Sequence, residues 1–346
     1  MPQAPPTERP VPWCGARSRA ADPKGPPLIR RRTLLTTALA ATAAIGLAAC
    51  TDDGSSSDAS DAGGASDGGG DALSGVTVSE DLGAEPTVEF TAPLEISAAQ
   101  AQVVVPGDGA TIADGDTVIW RHLYVDASTG ETLQSWWQGG PAGGVQVTTD
   151  SIGQAAFDVF TTMTVGSRFV MAGWQQGNDG QAYSLLQVGD VDRVVSPLRA
   201  EGEQGDPSGT YPDVTLDDSG APSISGPGEG EPPAKTVREL LIQGTGDTTR
   251  AGDYLTMQYS GWKWSDGSAF DSSWERGAPF SFVQGGGQVI QGWDENLLDL
   301  KIGSQVMLVI PPAEAYGEGE PTEDSPLTGE TLIFVVDVLD AAHTAD

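Results

Sequence analysis

From about Val76 to the C-terminus the chain is built of short runs in which apolar and polar residues alternate, broken by glycine-rich turns. This two-residue period predicts strands. Thr256 to Trp262 alternates, Ser265-Asp266-Gly267 has turn chemistry, and Gln305 to Ile310 and Leu332 to Leu339 are apolar or β-branched runs. One segment breaks the period: in Gly292 to Leu300, the positions of Trp293, Leu297 and Leu300 share one face of a helix. The predicted architecture is α+β, an antiparallel sheet wrapped around one short helix.

The pattern occurs twice. Val76-Thr77-Val78 with Gly83-Ala84 is matched by Val214-Thr215-Leu216 with Gly220-Ala221, and Ala113 to Val118 by Arg250 to Leu255, with Gly115 and Gly252 137 positions apart. The same offset pairs Gly130 with Gly267, Trp137 with Trp274, and Thr164 to Met171 with Lys301 to Leu308. The second copy then carries an insertion containing Ala315-Tyr316-Gly317, after which Leu185-Leu186 corresponds to Leu332-Ile333. Two copies of one fold are the simplest account. The expected domains are 76–198 and 214–346, joined by an exposed linker over 199–213 that is rich in Gly, Glu, Asp and Pro.

The N-terminal region has a different composition. Arg30-Arg31-Arg32 precedes an uncharged run from Thr33 to Ala49 and then Cys50, the arrangement of an export signal. Leu47-Ala48-Ala49-Cys50 resembles a bacterial lipobox, which implies a signal peptide over 1–49 and a diacylglycerol on Cys50 as the mature N-terminus. An uncleaved anchor is the alternative, and either places the remainder outside the membrane. Arg31-Arg32 also resembles a twin-arginine signal, with the general secretory route as the other possibility. Asp, Ser, Gly and Ala dominate the next stretch, so 50–75 is expected to be a disordered tether.

Charge and residue counts exclude several function classes. The 346 residues hold 17 Lys+Arg against 49 Asp+Glu, a net charge of −32. Loss of 1–49 removes seven of the basic and two of the acidic residues, leaving −37. That charge argues against nucleic acid and against electrostatic adhesion to anionic lipid, so the acyl chains must do the anchoring. Cys14 leaves with the signal and Cys50 is acylated; His122 and His343 are the chain's only histidines. Thiol chemistry, a histidine triad and a Cys/His zinc site have little to draw on.

Between Tyr259 and Gly317 the chain supplies many aromatic and aliphatic side chains with few polar ones, the makings of a dry, preformed cup. Tyr259 with Gly261, Phe270-Asp271-Ser272-Ser273, Arg276 with Pro279-Phe280, Gln288-Val289-Ile290 into Gly292-Trp293, Gly303, Pro312 with Ala315-Tyr316-Gly317, and Thr331 to Phe334 follow in one order. In these elements residues 240–340 resemble an FKBP-type peptidyl-prolyl cis-trans isomerase, and the first copy resembles a degenerate version. The resemblance implies two FKBP-like domains, proline-containing exported polypeptides as substrates, macrolides as further ligands, a monomer and no cofactor or metal.

It also implies roles. Trp293 forms the floor under the proline ring, with Phe270, Phe280, Val289, Ile290, Phe334 and Ala315 around it. Asp271 is the polar member, held by Tyr259 and Arg276, and the Tyr316 hydroxyl and the Ile290 amide meet substrate carbonyls. Asp271-Ser272 could equally make a turn or helix cap, and Arg276 an ordinary surface charge. The loop after Tyr316 departs from the family pattern in its acidity: Glu318, Glu320, Glu323 and Asp324 are expected to disfavour acidic substrates, with Leu327 as the loop's apolar contact. At the corresponding first-copy positions stand His122, Leu133, Gln134, Gly153, Ala156 and Gln187, so that copy is expected to lack activity. A membrane-tethered folding isomerase is the leading expectation, and a non-catalytic proline-peptide-binding or chaperone lipoprotein the other.

Overall fold

Side chains that alternate between two environments pair into two antiparallel sheets with one strand order. The computed structural model describes residues 72–176, 182–323 and 325–345; the expected signal, Cys50 and the part of the expected tether up to residue 71 lie outside them, as does Asp324. The first half contains β1 (Thr77–Val78), β2 (Val88–Glu89), β3 (Gln100–Val105), β4 (Thr117–Asp126), β5 (Thr132–Ser135), β6 (Gly143–Gln146), α1 (Thr149–Phe160), β7 (Arg168–Gln176) and β8 (Ala182–Val194). The second contains β9 (Glu203–Gln204), β10 (Val214–Leu216), β11 (Pro222–Ile224), β12 (Val237–Gln243), β13 (Tyr254–Lys263), β14 (Ala269–Ser272), α2 (Ser273–Arg276), β15 (Phe280–Val283), α3 (Gln291–Asn296), β16 (Gln305–Ile310) and β17 (Leu332–Ala342). No described helix is long and apolar enough to cross a membrane.

The first sheet runs β3-β7-β8-β4-β5 with β6 on β4, and the second β12-β16-β17-β13-β14 with β15 on β13 and β9 added outside β12. Each is preceded by its own two-stranded hairpin, β1-β2 or β10-β11. In the second sheet one face packs Leu255, Met257, Val306, Leu308 and Val336 against Trp293 and Leu297 of the helical segment, and the other packs Trp262, Met307, Val309 and Val335 under Tyr211, Val214 and Ile224.

Each sheet buries a polar pair at the same two strand positions. Arg168, fully buried, donates to Asp190 Oδ1 at 2.6 Å and Oδ2 at 2.8 Å, and reaches the carbonyls of Ser79 at 2.7 Å and Ala84 at 3.2 Å. In the second sheet Gln305 and Asp337 occupy the corresponding positions. Gln305 Nε2 donates to Asp337 Oδ1 at 2.8 Å, and the Ala200 N–H donates to Oδ2 at 2.7 Å. Without a cation beside it, burial raises the Asp337 carboxyl to about 6.

The direction fixes a pH dependence. The unfolded carboxyl titrates near 3.9, so the folded protein holds this proton more tightly, and the associated stability is present below about pH 4 and lost as pH rises through 6. Asp337→Asn should therefore match the parent near pH 4 and exceed it by roughly 2–3 kcal/mol at pH 7. Urea midpoints of the two proteins at both pH values check this; a difference that does not grow with pH would remove burial of the charge as its cause.

Three expectations are modified. The span expected as tether reaches too far: Ala72–Gly75 form a 3₁₀ turn with Ala72 and Leu73 buried, Leu73 against the first sheet's outer-face cluster. The stretch 199–213 is drawn into the second sheet, with Ala200 buried and Glu203–Gln204 pairing with Gln243 and Ile242, since an edge strand leaves backbone groups to satisfy. The helix at 292–300 stops at Asn296; Leu297 and Leu300 are nevertheless buried. Thr249 Oγ donates to the Leu297 carbonyl at 2.7 Å, Arg238 donates to those of Asn296 and Leu298, and Asp299 adopts a left-handed φ of 58°. These side chains capture the carbonyls a longer helix would have used.

Both sheets belong to one compact unit. Ile119, Ala142 and Val195 of the first pack with Tyr254, Leu339 and Ala342 of the second. Around this cluster Arg193 forks onto Asp340 at 2.8 and 2.5 Å, Trp136 Nε1 donates to the His343 carbonyl at 3.0 Å, and the Tyr254 hydroxyl donates to the Gly144 carbonyl at 3.0 Å.

Candidate active site

Strands β13 and β17 place Tyr259 and Phe334 on the face that looks at α3, and α3 carries Trp293 between them. Trp293 is 4% exposed, and its ring meets Tyr259 at 5.1 Å and Phe334 at 5.3 Å, both edge to face. Phe270 stands against Phe334 at 5.4 Å and Phe280 against Trp293 at 6.2 Å. Val289, Ile290, Ala315 and Leu327 are partly buried against the same cluster. Edge-to-face rings fix one another's orientation, which makes the assembly a rigid apolar surface. The Trp293 indole N–H is buried without an acceptor among the described residues.

Glycine permits the closest approaches. A Cβ on Gly261 would lie 2.7 Å from Phe270 Cζ and 2.9 Å from Phe334, so those two rings meet only over a bare backbone. A Cβ on Gly292 would lie 2.5 Å from Ile310, which lets α3 sit directly on β16. Gly285 and Gly287 donate their N–H groups to Asp294 at 3.0 Å each, so this glycine-rich turn is closed on the protein's own carboxylate.

One polar triangle stands at the edge of the apolar surface. The Tyr259 hydroxyl and Arg276 Nη1 both donate short bonds to the Asp271 carboxylate, and Arg276 Nη2 donates to the Tyr259 hydroxyl at 2.9 Å. The guanidinium also lies over the Tyr259 ring, 5.3 Å from its centroid. Burial and the bond to Asp271 push the Tyr259 phenol above its usual range, which keeps it protonated and donating.

Local chemistry sets the triangle. The helix cap is Ser272, whose hydroxyl accepts from the Glu275 N–H at 3.4 Å, so Asp271 is released from that duty. Ser273, fully buried, has a role that the sequence does not distinguish from that of Ser272. Its hydroxyl accepts from the Tyr259 N–H at 2.7 Å and donates to Gln258, tying α2 to β13 beside the cup. Only its place in a run of two serines after Asp271 hinted at this. Tyr316, next to Ala315, is 42% exposed, and Glu318, Glu320 and Glu323 are exposed on the loop that follows. Among the described residues no group of His, Cys, Asp and Glu could hold a metal ion.

The FKBP-type peptidyl-prolyl cis-trans isomerase family model matches residues 246–339, the stretch that carries this cup. An FK506-binding protein of Streptomyces anulatus is 41% identical over 118 residues, 34% of this chain and 94% of that protein. The chain belongs to the FKBP-type peptidyl-prolyl cis-trans isomerase family. A probable FK506-binding protein of Corynebacterium glutamicum is 38% identical over 113 residues, 32% of this chain and 92% of that protein. The crystal structure of FkpA from Escherichia coli is similar at 32% identity, with a TM-score of 0.29, over 38% of this chain and 53% of that one.

The first sheet has the FKBP strand order with a different inner surface. Tyr124, paired with Gln187, stands where the second sheet pairs Gly261 with Phe334, and it fills the approach that the glycine leaves open. Ala156 is buried at the Trp293 position, and Trp120 meets Phe160 and Phe169 edge to face nearby at 5.8 and 5.7 Å, with Phe160 tilted against Phe169 at 4.9 Å. Leu133, the counterpart of Phe270, is 50% exposed, and Gly153 kinks α1 with φ 73°. His122 is 3% exposed; neither ring nitrogen nor either Gln187 amide atom has a partner among the described residues. Burial lowers the His122 imidazole to about 4, so it is neutral at pH 7.

Proposed function

We propose that this FKBP-family isomerase acts outside the membrane on X-Pro bonds of exported chains as they fold, held at the surface by a lipid on Cys50. The observation that carries the isomerase site is the Asp271–Tyr259–Arg276 triangle at the edge of the Trp293 cup. Rotation about the imide is opposed by about 18–20 kcal/mol because the twisted bond loses its resonance. No covalent bond breaks, so the protein has only to favour the twisted form.

The aromatic walls take the proline ring out of water. This removes hydrogen bonds that stabilise the planar, charge-separated amide, while the oriented Asp271 carboxylate offers a fixed dipole partner to the twisting group. Tyr316 and the Ile290 N–H are placed in this proposal as contacts for substrate carbonyls, and the same cup as the seat for macrolides. The first domain, with Ala156, Gln187 and His122 in place of Trp293, Phe334 and Tyr259, is read as a copy without isomerase activity.

The exposed Glu318, Glu320 and Glu323 favour basic residues beside the proline. Full-length protein should turn over Lys-flanked X-Pro peptides about two- to fivefold faster than Glu-flanked ones at low salt, with the gap closing near 1 M salt. Equal rates at low salt would make the loop a bystander. For the anchor, Cys50→Ala should move the protein from the membrane to the soluble fraction and abolish labelling by a radioactive fatty acid. Retention of label in that variant would overturn the lipid assignment.

A further inference from the structure

The short helix α2 bears Arg276 on its last turn, and four residues cannot hold a helix by their own hydrogen bonds. Its N-terminus is fastened by the Ser272 cap and by Ser273 to β13. The Gly277 N–H returns to the carbonyls of Ser273 and Trp274 with a left-handed φ of 71°, and the Gly277 carbonyl is bound from the first sheet. Gln146 at the end of β6, in the first sheet, donates Nε2 to that carbonyl at 2.8 Å. The same amide is steadied by the Gly115 carbonyl at 3.3 Å, and β6 is itself held by the Tyr254 hydroxyl on Gly144. On the far side the tip of the β10–β11 hairpin covers Trp274: a Cβ on Gly220 would lie 3.5 Å from its Cη2.

We infer that Gln146 is a positioning residue for the cup: by fixing the Gly277 carbonyl it holds the last turn of α2, and with it the Arg276 guanidinium, against Asp271 and Tyr259. The first domain thus contributes to the isomerase although its own cup has lost the aromatic floor. The inference rests on the assignment of the Asp271 triangle as the polar part of the site. Because the apolar walls that bind the proline ring lie on other elements, displacement of α2 acts on the twisting step and leaves peptide affinity in place.

The test uses the full-length chain, with exchange rates measured by NMR at peptide concentrations spanning KM. Gln146→Glu turns the donor into a carboxylate facing a carbonyl oxygen, and should lower kcat about threefold with KM within about twofold of the parent. Gln146→Lys, which keeps a donor within reach, should restore kcat. In an Arg276→Ala background Gln146→Glu should have no further effect, since the two residues act in series. Gln146→Ala serves if the glutamate variant does not fold. An unchanged kcat in folded Gln146→Glu or Gln146→Ala, or full additivity with Arg276→Ala, would overturn the inference. Failure of the underlying site assignment has a separate signature: Arg276→Ala and Asp271→Asn would then leave kcat unchanged with Gln146 intact.

Discussion

Replacing Arg168 by Met should cost about 3–5 kcal/mol of stability, because it strands Asp190 as an unpaired charge in the interior. Both partners are fully buried, and the guanidinium saturates four acceptors, two on Asp190 and the carbonyls of Ser79 and Ala84. Met matches the length of the arginine stem, so little of the loss comes from packing, and the two carbonyls would have to find water or detach. Detachment would free the loop that joins β1 to β2, whose strands help cover Leu123, Val125, Val170 and Val188. The double replacement Arg168→Met with Asp190→Leu should recover a large part of the loss, since a buried ion pair is often no better than an apolar pair of similar volume. Chemical denaturation followed by tryptophan fluorescence reads both. If the single variant costs under 1 kcal/mol, water reaches the pair and its charges are not buried.

Gln305–Asp337 and Arg168–Asp190 occupy the same positions in the two sheets, yet neither pair stands out in an alternating strand, where any polar residue reads as outward and wet. The apolar half of the site is another matter. Phe270, Phe280, Trp293 and Phe334 are too large and too many for the strands that bear them, and the structure gathers them into one cluster with Tyr259, Val289, Ile290, Ala315 and Leu327. Boundaries were less legible. The 3.6-residue spacing of Trp293, Leu297 and Leu300 predicts a helix through 300, but Thr249 and Arg238, roughly fifty residues or more upstream, take the carbonyls and end it early. The duty of Ser272 as cap, which leaves Asp271 available, depends on backbone direction at one residue, and Asp-Ser spacing alone allows either. The interface through Tyr254, Leu339 and Ala342 looks like ordinary core in the sequence, because a side chain buried against a second sheet carries the same composition as one buried in its own.

Asp271→Asn should lower kcat/KM about 10- to 100-fold, the loss expected when a contact of about 1.5–3 kcal/mol to a charged group disappears from the transition state. The asparagine has nearly the shape of the aspartate, so the ring contacts of Tyr259, Phe270 and Phe334 stay in place. Stability should change by under 1 kcal/mol, because the Arg276 and Asp271 side chains are 46% and 39% exposed and ion pairs so placed contribute little. Tyr259→Phe separates two contributions within the triangle. It removes the hydroxyl that bonds both Asp271 and Arg276 while keeping the ring edge on Trp293, so it should lower the rate less than Asp271→Asn and leave KM nearly unchanged. If the carboxylate acts on the twisting imide, Asp271→Asn changes kcat at constant KM; if it serves only to hold peptide, KM rises at constant kcat. Catalysis unchanged in both variants would leave the apolar walls to do the work by desolvation alone. The triangle would then be a fastening for α2, and the reason for its place at the edge of the cup would be structural.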